Sequence, residues 1–409
     1  MRFERRLRIL SRGGVLPLLL LLPAGCLDRV DSTKPDAAAQ ADAGNTGQTV
    51  FVEQGPWEEC YLEDGKRCIP DHVLARRGVA YSGYRLNQSP KVDVYPSAEE
   101  IKEDLLLLLQ GGWTYIRLFD SGTHAERVLQ VIAENGFDFK VQLGIWIDGP
   151  KASKDVENRA DLERGVVLAG MYPSTIVGVS VGNEVLDTWS SVRTPPEDLA
   201  AYISEVRERV VQPVATDDMY PPFMMEGEYA EVEQVVEVVD YISLHGYAFI
   251  DASFSNWNWW QDTIPAGPER AQAMMAAGLE YQKSIVKNVR TALTAKGLDL
   301  RIQIGEAGWK SAHTKLADKI EPSLAHPVNQ KIFYDRLADW VYGASKDADS
   351  PVSMLYFEAF DEPWKGIDDG WGLFDTYRQP KFVIWDSFPE KKPVDAPAYT
   401  EADAIYYTP

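Results

Sequence analysis

The chain is poor in metal-binding residues. Three cysteines and five histidines are spread over 409 residues, and His72, His124, His245, His313 and His326 make no zinc signature among themselves or with a cysteine. No metal and no other cofactor is implied. Positive charge is also scarce, with 41 Lys and Arg against 62 Asp and Glu for a net charge of −21. Residues 1–25 hold five arginines against one glutamate, so the remainder sits nearer −25. That excess argues against nucleic acid and other anionic polymers as partners and leaves neutral ligands open. The apolar run Val15 to Leu22, broken only at Pro17, is far shorter than the about 20 residues a membrane-spanning helix needs. No internal repeat of solenoid length is visible.

The N terminus has its own logic. Arg2, Arg5, Arg6, Arg8 and Arg12 followed by the short apolar run read as an export signal. The run ends in Leu22-Pro23-Ala24-Gly25-Cys26, which resembles the lipobox of bacterial lipoproteins except that Pro23 stands where leucine is usual. The resemblance implies removal of residues 1–25 and a lipid anchor on Cys26. Leu27 after the cysteine, with no aspartate there, favours the outer membrane or cell surface; plain secretion after cleavage near Ala24 is the alternative. An odd cysteine count in an exported chain needs an explanation, and lipidation of Cys26 supplies one. Cys60 and Cys68 then form a candidate disulfide across the Asp64-Gly65 turn signal, two free thiols being the other reading. Residues 26–50, rich in Asp, Ala, Gly, Thr and Gln, read as a flexible tether. Residues 51–77 read as a small N-terminal extension and 391–409 as a tail.

Between them, residues 78–390 alternate short apolar strands with longer helical patterns, the mark of a parallel sheet with crossover helices. Eight strands are expected: Gly78–Tyr84, Thr114–Phe119, Phe139–Ile147, Thr175–Gly182, Pro213–Thr216, Tyr241–Tyr247, Arg301–Gly305 and Met354–Phe360. The intervening helices include Ala98–Gln110, Ala125–Asn135, Asp155–Ala169, Glu197–Val211, Glu269–Ala295 and Asn329–Ser345. Pro195-Pro196, Gly136 and Gly297 lie where helices should start or stop. The expected fold class is α/β, a (β/α)8 TIM barrel whose reactive groups lie at the C-terminal strand ends.

Two glutamates occupy such ends. Glu184 closes Val181-Gly182-Asn183-Glu184 after the fourth strand, and Glu306 opens Gly305-Glu306-Ala307-Gly308-Trp309 at the seventh. A carboxyl pair on separate strand ends suits glycosidic bond cleavage, one group protonating the departing oxygen while the other, ionised, attacks the anomeric carbon. These segments, with Gly78-Val79-Ala80-Tyr81-Ser82 and Phe357-Glu358-Ala359-Phe360-Asp361-Glu362-Pro363-Trp364-Lys365, resemble glycoside hydrolase family 17, the β-1,3-glucanases and β-1,3-glucanosyltransferases. The resemblance runs from about Arg77 to Trp385. It implies that Glu184 is the proton donor and Glu306 the nucleophile, with Asn183 bonding the sugar hydroxyl beside the anomeric carbon, Arg117 near the carboxylates, and both Tyr81 and Arg117 among the substrate-binding residues of the cleft. Burial and the charge on Glu306 should raise the pKa of Glu184. Tyr247 or His245, in Leu244-His245-Gly246-Tyr247, should hold the nucleophile's charge.

Glu358, Asp361 and Lys365 are expected to line the cleft, an Asp361–Lys365 ion pair bracing the loop being the other reading. Trp146, Trp309, Trp364 and Trp371 are expected to offer stacking faces to pyranose rings. Trp257 to Trp260 either extend the cleft or anchor their loop. The expected protein is a monomeric, lipid-anchored retaining hydrolase of β-1,3-glucan. A glucanosyltransferase sharing the same covalent intermediate, a non-catalytic glucan-binding protein and an enzyme for β-1,4 linkages are the alternatives.

Overall fold

The structure, a computed structural model, describes residues 58–251, 261–312 and 324–406. The export signal, Cys26, the tether and the Trp257–Trp260 cluster lie outside the described residues. Eight parallel strands close into a barrel in sequence order: β1 Arg77–Ala80, β2 Trp113–Leu118, β3 Lys140–Ile145, β4 Ile176–Asn183, β5 Val214–Met219, β6 Ile242–His245, β7 Ile302–Ala307 and β8 Met354–Tyr356. β8 pairs back onto β1, with Val79 beside Tyr356. The (β/α)8 architecture expected from the alternation of apolar and amphipathic segments is therefore the one observed.

The helices are α1 Asp71–Leu74, α2 Ala98–Gly111, α3 Thr123–Asn135, α4 Lys151–Met171, α5 Pro196–Arg209, α6 Glu233–Val238, α7 Ala248–Asp251, α8 Pro268–Ala295 and α9 Pro327–Tyr342. Their ends follow local chemistry. Ser97 and Glu100 form a reciprocal capping box at the start of α2, and prolines open α5, α8 and α9 at positions whose N–H groups need no helical partner. Between β5 and β6 the crossover is reduced to two 3-10 segments, Pro222–Met224 and Gly227–Val232, and the short α6. Among the described residues no helix is long and apolar enough to cross a membrane.

Several strand ends differ from expectation, β1 stopping at Ala80 among them, and two of the differences have a clear local cause. β5 runs on to Met219, because Asp217 and Asp218 continue it as buried residues; paired aspartates are poor strand formers and hide that continuation in a sequence. β8 stops at Tyr356, and the chain then leaves the sheet so that Phe360 bridges to Phe374 instead.

The extension before β1 closes the other end of the barrel. Ile69, Val73 and Leu74 pack with Tyr115, Val177, Ala215, Tyr241 and Leu355 into a separate apolar cluster. A disulfide joins Cys60 to Cys68, whose Cα atoms are 5.0 Å apart, around a turn with Gly65 at φ 82°. Arg67 anchors the hairpin by donating to the carbonyls of Val210 and Gln212 at 2.6 and 3.0 Å.

Inside the barrel the filling is polar. Gln142, Asp217, Ser243 and Gln303 are all buried. Gln303 donates to Gln142 at 2.8 Å, Tyr115 donates to Gln303 at 3.1 Å and Tyr241 to Gln142 at 2.9 Å. Each member has a partner, which is what makes a buried polar layer tolerable. This layer is the floor on which the candidate site stands.

Candidate active site

Glu184 and Glu306 reach one place because the register puts their neighbours side by side. Asn183 lies beside Asp217 across β4 and β5, and His245 beside Glu306 across β6 and β7, each pair next to an irregularity in the ladder. Such bulges re-aim side chains at a barrel rim. Leaving β4, the backbone turns through left-handed conformations at Gly182, φ 86°, and Glu184, φ 51°. Glycine adopts this freely, whereas Glu184 is held there at a cost of about 1–3 kcal/mol. Its amide is fixed by the Asp217 carbonyl at 2.9 Å. Gly305, just before the second glutamate, has no room for a side chain, since a Cβ would lie 2.4 Å from Ser243 Oγ and 2.7 Å from Asp217 Oδ1.

Arg117 ties the strands together. Its guanidinium, fully buried, donates to Asp217 at 2.9 Å, to Asn183 Oδ1 at 2.5 Å and to Glu306 Oε1. Tyr247 donates its hydroxyl to the other oxygen of Glu306. His245 stands between the glutamates, with Nδ1 2.9 Å from Glu184 Oε1 and Nε2 3.6 and 3.7 Å from Asp217 and Glu306. Sequence reasoning left Tyr247 and His245 as alternatives; the structure places both against Glu306.

The electrostatics are internally consistent. Burial pushes the Glu306 carboxyl up, but the cationic His245 and Arg117, with the Tyr247 hydroxyl, outweigh it and hold the group below the usual carboxylate range. Burial likewise opposes charge on His245, yet the Glu306 charge, the nearby Asp217 carboxylate and the hydrogen bond to Glu184 raise it to about 10. Asp217, buried but faced by Arg117 and His245, is held well below the usual range. Behind them Asp218 is pushed up to about 8 by burial, its two backbone N–H bonds opposing. One donor atom each from Glu184, His245 and Glu306 lies within 4.8 Å of the others, a spacing that could hold a metal ion.

The remaining expected residues divide. Glu358 is buried and receives Lys365, which also pairs with Glu362 at 2.7 Å. Glu362 further accepts from Ser82 at 2.7 Å and from the Tyr84 amide at 3.0 Å. Burial and the neighbouring Glu362 raise the Glu358 carboxyl against the opposing pull of Lys365. An Asp361–Lys365 pair does not form: Asp361 accepts from Lys381 at 2.6 Å and the Gly372 amide at 2.9 Å. Trp146 is 37% exposed at the end of β3, and the half-buried Trp364 meets Tyr84 edge-on at 6.1 Å.

Three expected cleft residues are core residues. Tyr81 is fully buried and donates to Asp104 at 3.2 Å. Trp309 is fully buried, packed on Phe249 and Phe333 with its indole N–H on the Leu324 carbonyl at 3.0 Å. Trp371 is 1% exposed and wedged against Tyr247 and Phe249. Near a strand end, side-chain direction depends on where the chain leaves the sheet, and two residues past β7 the chain has turned outward beneath the helices. Asp217 was missed altogether; its signal was the Asp217-Asp218 pair ending an apolar run.

Comparison with known proteins agrees with this geometry. The BtgE/BtgC glycoside hydrolase domain matches residues 78–373. The chain is 26% identical over 387 residues to the "Probable glucan endo-1,3-beta-glucosidase btgC" of Aspergillus clavatus, covering 87% of this chain and 49% of that protein. Its counterpart in Aspergillus flavus is 25% identical over 344 residues, 76% of this chain and 43% of that one. The chain thus spans about half the length of the curated relatives it matches. Among solved structures, an endo-laminarinase from Formosa Hel1_33_131 superposes with TM-score 0.70 at 24% identity, over 83% of this chain and 93% of that one. A family 17 β-1,3-glucanosyltransferase from Rhizomucor miehei superposes with TM-score 0.52 at 23% identity, over 76% and 97%. The structural likenesses speak for the fold, while the family match covers most of the barrel. The chain belongs to the BtgE/BtgC glycoside hydrolase family.

Proposed function

We propose that the protein cleaves β-1,3-glucan with retention at the anomeric carbon, Glu306 acting as nucleophile and Glu184 as acid and then base. The observation that carries this reading is the carboxyl spacing. An oxygen of Glu184 and an oxygen of Glu306 lie within 4.8 Å, compatible with the about 5–5.5 Å between the carboxyl groups of retaining pairs. Glu306, flanked by Arg117 and His245 and bonded by Tyr247, is kept ionised for attack. Glu184, at the rim with its side chain 23% exposed, protonates the departing oxygen. Arg117 occupies Asn183 Oδ1, leaving the amide NH2 to donate to the sugar hydroxyl next to the reacting carbon. When the glycosyl ester forms, Glu306 loses its charge, and with it goes the largest support for the cation on His245. The proton that Glu184 must then take from the incoming hydroxyl enters a site that has lost one negative charge.

The β-1,3 linkage is proposed from the named activity of the Aspergillus relatives. Export and lipid anchoring at Cys26 are proposed from the N-terminal sequence; metabolic labelling with a fatty acid that persists in Cys26→Ser would remove that part. The central test is a time course on end-labelled β-1,3-gluco-oligosaccharides, with products separated by size and the anomeric form of the first product read by NMR. Shorter products of retained configuration are expected, products longer than the substrate would reveal a transferase, and an inverted product would overturn the mechanism.

A further inference from the structure

Trp189 has no place in the site as described, yet it is 63% exposed, unusual for a residue normally well buried. It lies five residues past Glu184 on the loop from β4 to α5, at the reactive face of the barrel. The loop beneath it is firmly built. Val185 and Leu186 are buried, the Leu186 amide donates to Asp218 at 2.8 Å and the Thr194 amide to the Val185 carbonyl at 2.7 Å. The Tyr229 hydroxyl donates to Asp187 Oδ1 at 2.8 Å, and the Ser190 amide to the Asp187 carbonyl at 3.1 Å. The indole is therefore presented to solvent from a braced backbone. One residue past β3, the strand paired with β4, Trp146 is also exposed, its amide held by Asp161 at 2.6 Å.

The direction of the chemistry gives this surface a meaning. The acid delivers its proton to the oxygen that joins the donor sugar to the leaving sugar, so the leaving sugar lies on the acid's side. In the second half-reaction the incoming hydroxyl comes from that side. Its oxygen bonds to the anomeric carbon as the ester bond to Glu306 breaks, and its proton passes to Glu184. The balance is the same whether the hydroxyl belongs to water or to a sugar. A flat apolar ring flanked by Thr188, Ser190 and Ser191 suits the C–H face of a neutral pyranose.

We infer that Trp189, on the loop that leaves the acid's strand, is the platform for the sugar on the leaving-group and acceptor side, and that it sets the balance between hydrolysis and transfer. This rests on the retaining reading above and adds a residue to it. The test compares two substrates sharing the same donor sugars, a β-1,3-gluco-oligosaccharide and an aryl glycoside whose leaving group is not a sugar. In Trp189→Ala, kcat/KM on the oligosaccharide should fall about 10-fold further than on the aryl glycoside. The ratio of transfer to hydrolysis products should fall with it. Trp189→Phe, which keeps a ring, should recover most of both. An equal loss on the two substrates, or none, would overturn the assignment. Should the wild type leave β-1,3 oligosaccharides intact, the parent reading fails on linkage, and the same comparison on whichever β-linked oligosaccharide is cleaved still decides the role of Trp189.

Discussion

Replacing His245 with asparagine tests the electrostatics of the site most directly. The imidazolium Nε2 lies 3.6 Å from Asp217 and 3.7 Å from Glu306. At an effective dielectric constant of about 20, a charge pair at that distance is worth about 4–5 kcal/mol, equivalent to about 3 pKa units before the site relaxes. Arg117 stays in place and retains part of the support, so the ionisation of Glu306 should move up by about 2 units. In the proposed mechanism the ionised form of Glu306 governs the acid limb of kcat/KM for the free enzyme, which is where this shift will appear. The assay is a pH profile of kcat/KM on a β-1,3-gluco-oligosaccharide for wild type and His245→Asn. An acid limb within about 0.3 unit of wild type would refute the claim that His245 keeps Glu306 ionised. Stability gives a second readout. The folded pKa of His245, raised to about 10, exceeds its unfolded value of about 6.5. The stabilisation is thus complete below about pH 6.5 and is lost as pH rises toward 10, at about 1.4 kcal/mol per pH unit. Urea unfolding between pH 7 and 9.5 should show this slope in the wild type and its loss in the variant.

Three further outcomes are expected. Glu306→Gly should abolish hydrolysis, keep the fold as judged by circular dichroism, and accept a glycosyl fluoride of inverted configuration as donor; normal hydrolysis would remove Glu306 from its role. Trp309→Ala should cost about 3–5 kcal/mol in urea unfolding because it empties a core site, whereas a cleft platform would lose substrate affinity at unchanged stability. Lys365→Met should cost about 3–5 kcal/mol by leaving Glu358 and Glu362 buried without their shared cation, and that loss should shrink at low pH as the carboxylates protonate; a pH-independent effect would mean that packing, not charge, is what Lys365 supplies.

Much of this was legible in one dimension. The barrel follows from a local property, the alternation of short apolar strands with helical patterns punctuated by Pro195-Pro196, Gly136 and Gly297, and local properties survive in sequence order. Glu184 and Glu306 were legible for the same reason, each ending an apolar run where a strand opens into a loop. What could not be read was which side chains meet. Arg117, Asp217, His245 and Glu306 come from four strands, and their contact depends on barrel closure and on two ladder irregularities that no single segment encodes. The same limit explains why Tyr81, Trp309 and Trp371 were assigned to the cleft when they fill the core. It also explains why Lys365 found Glu358 and Glu362 rather than Asp361. Sequence by itself determined the strand order and the carboxylates at two strand ends, because periodicity and turn chemistry act between near neighbours. Tertiary structure alone decided the charge partners of those carboxylates and the aromatic faces left for a ligand, because both depend on through-space distances set only when the barrel closes.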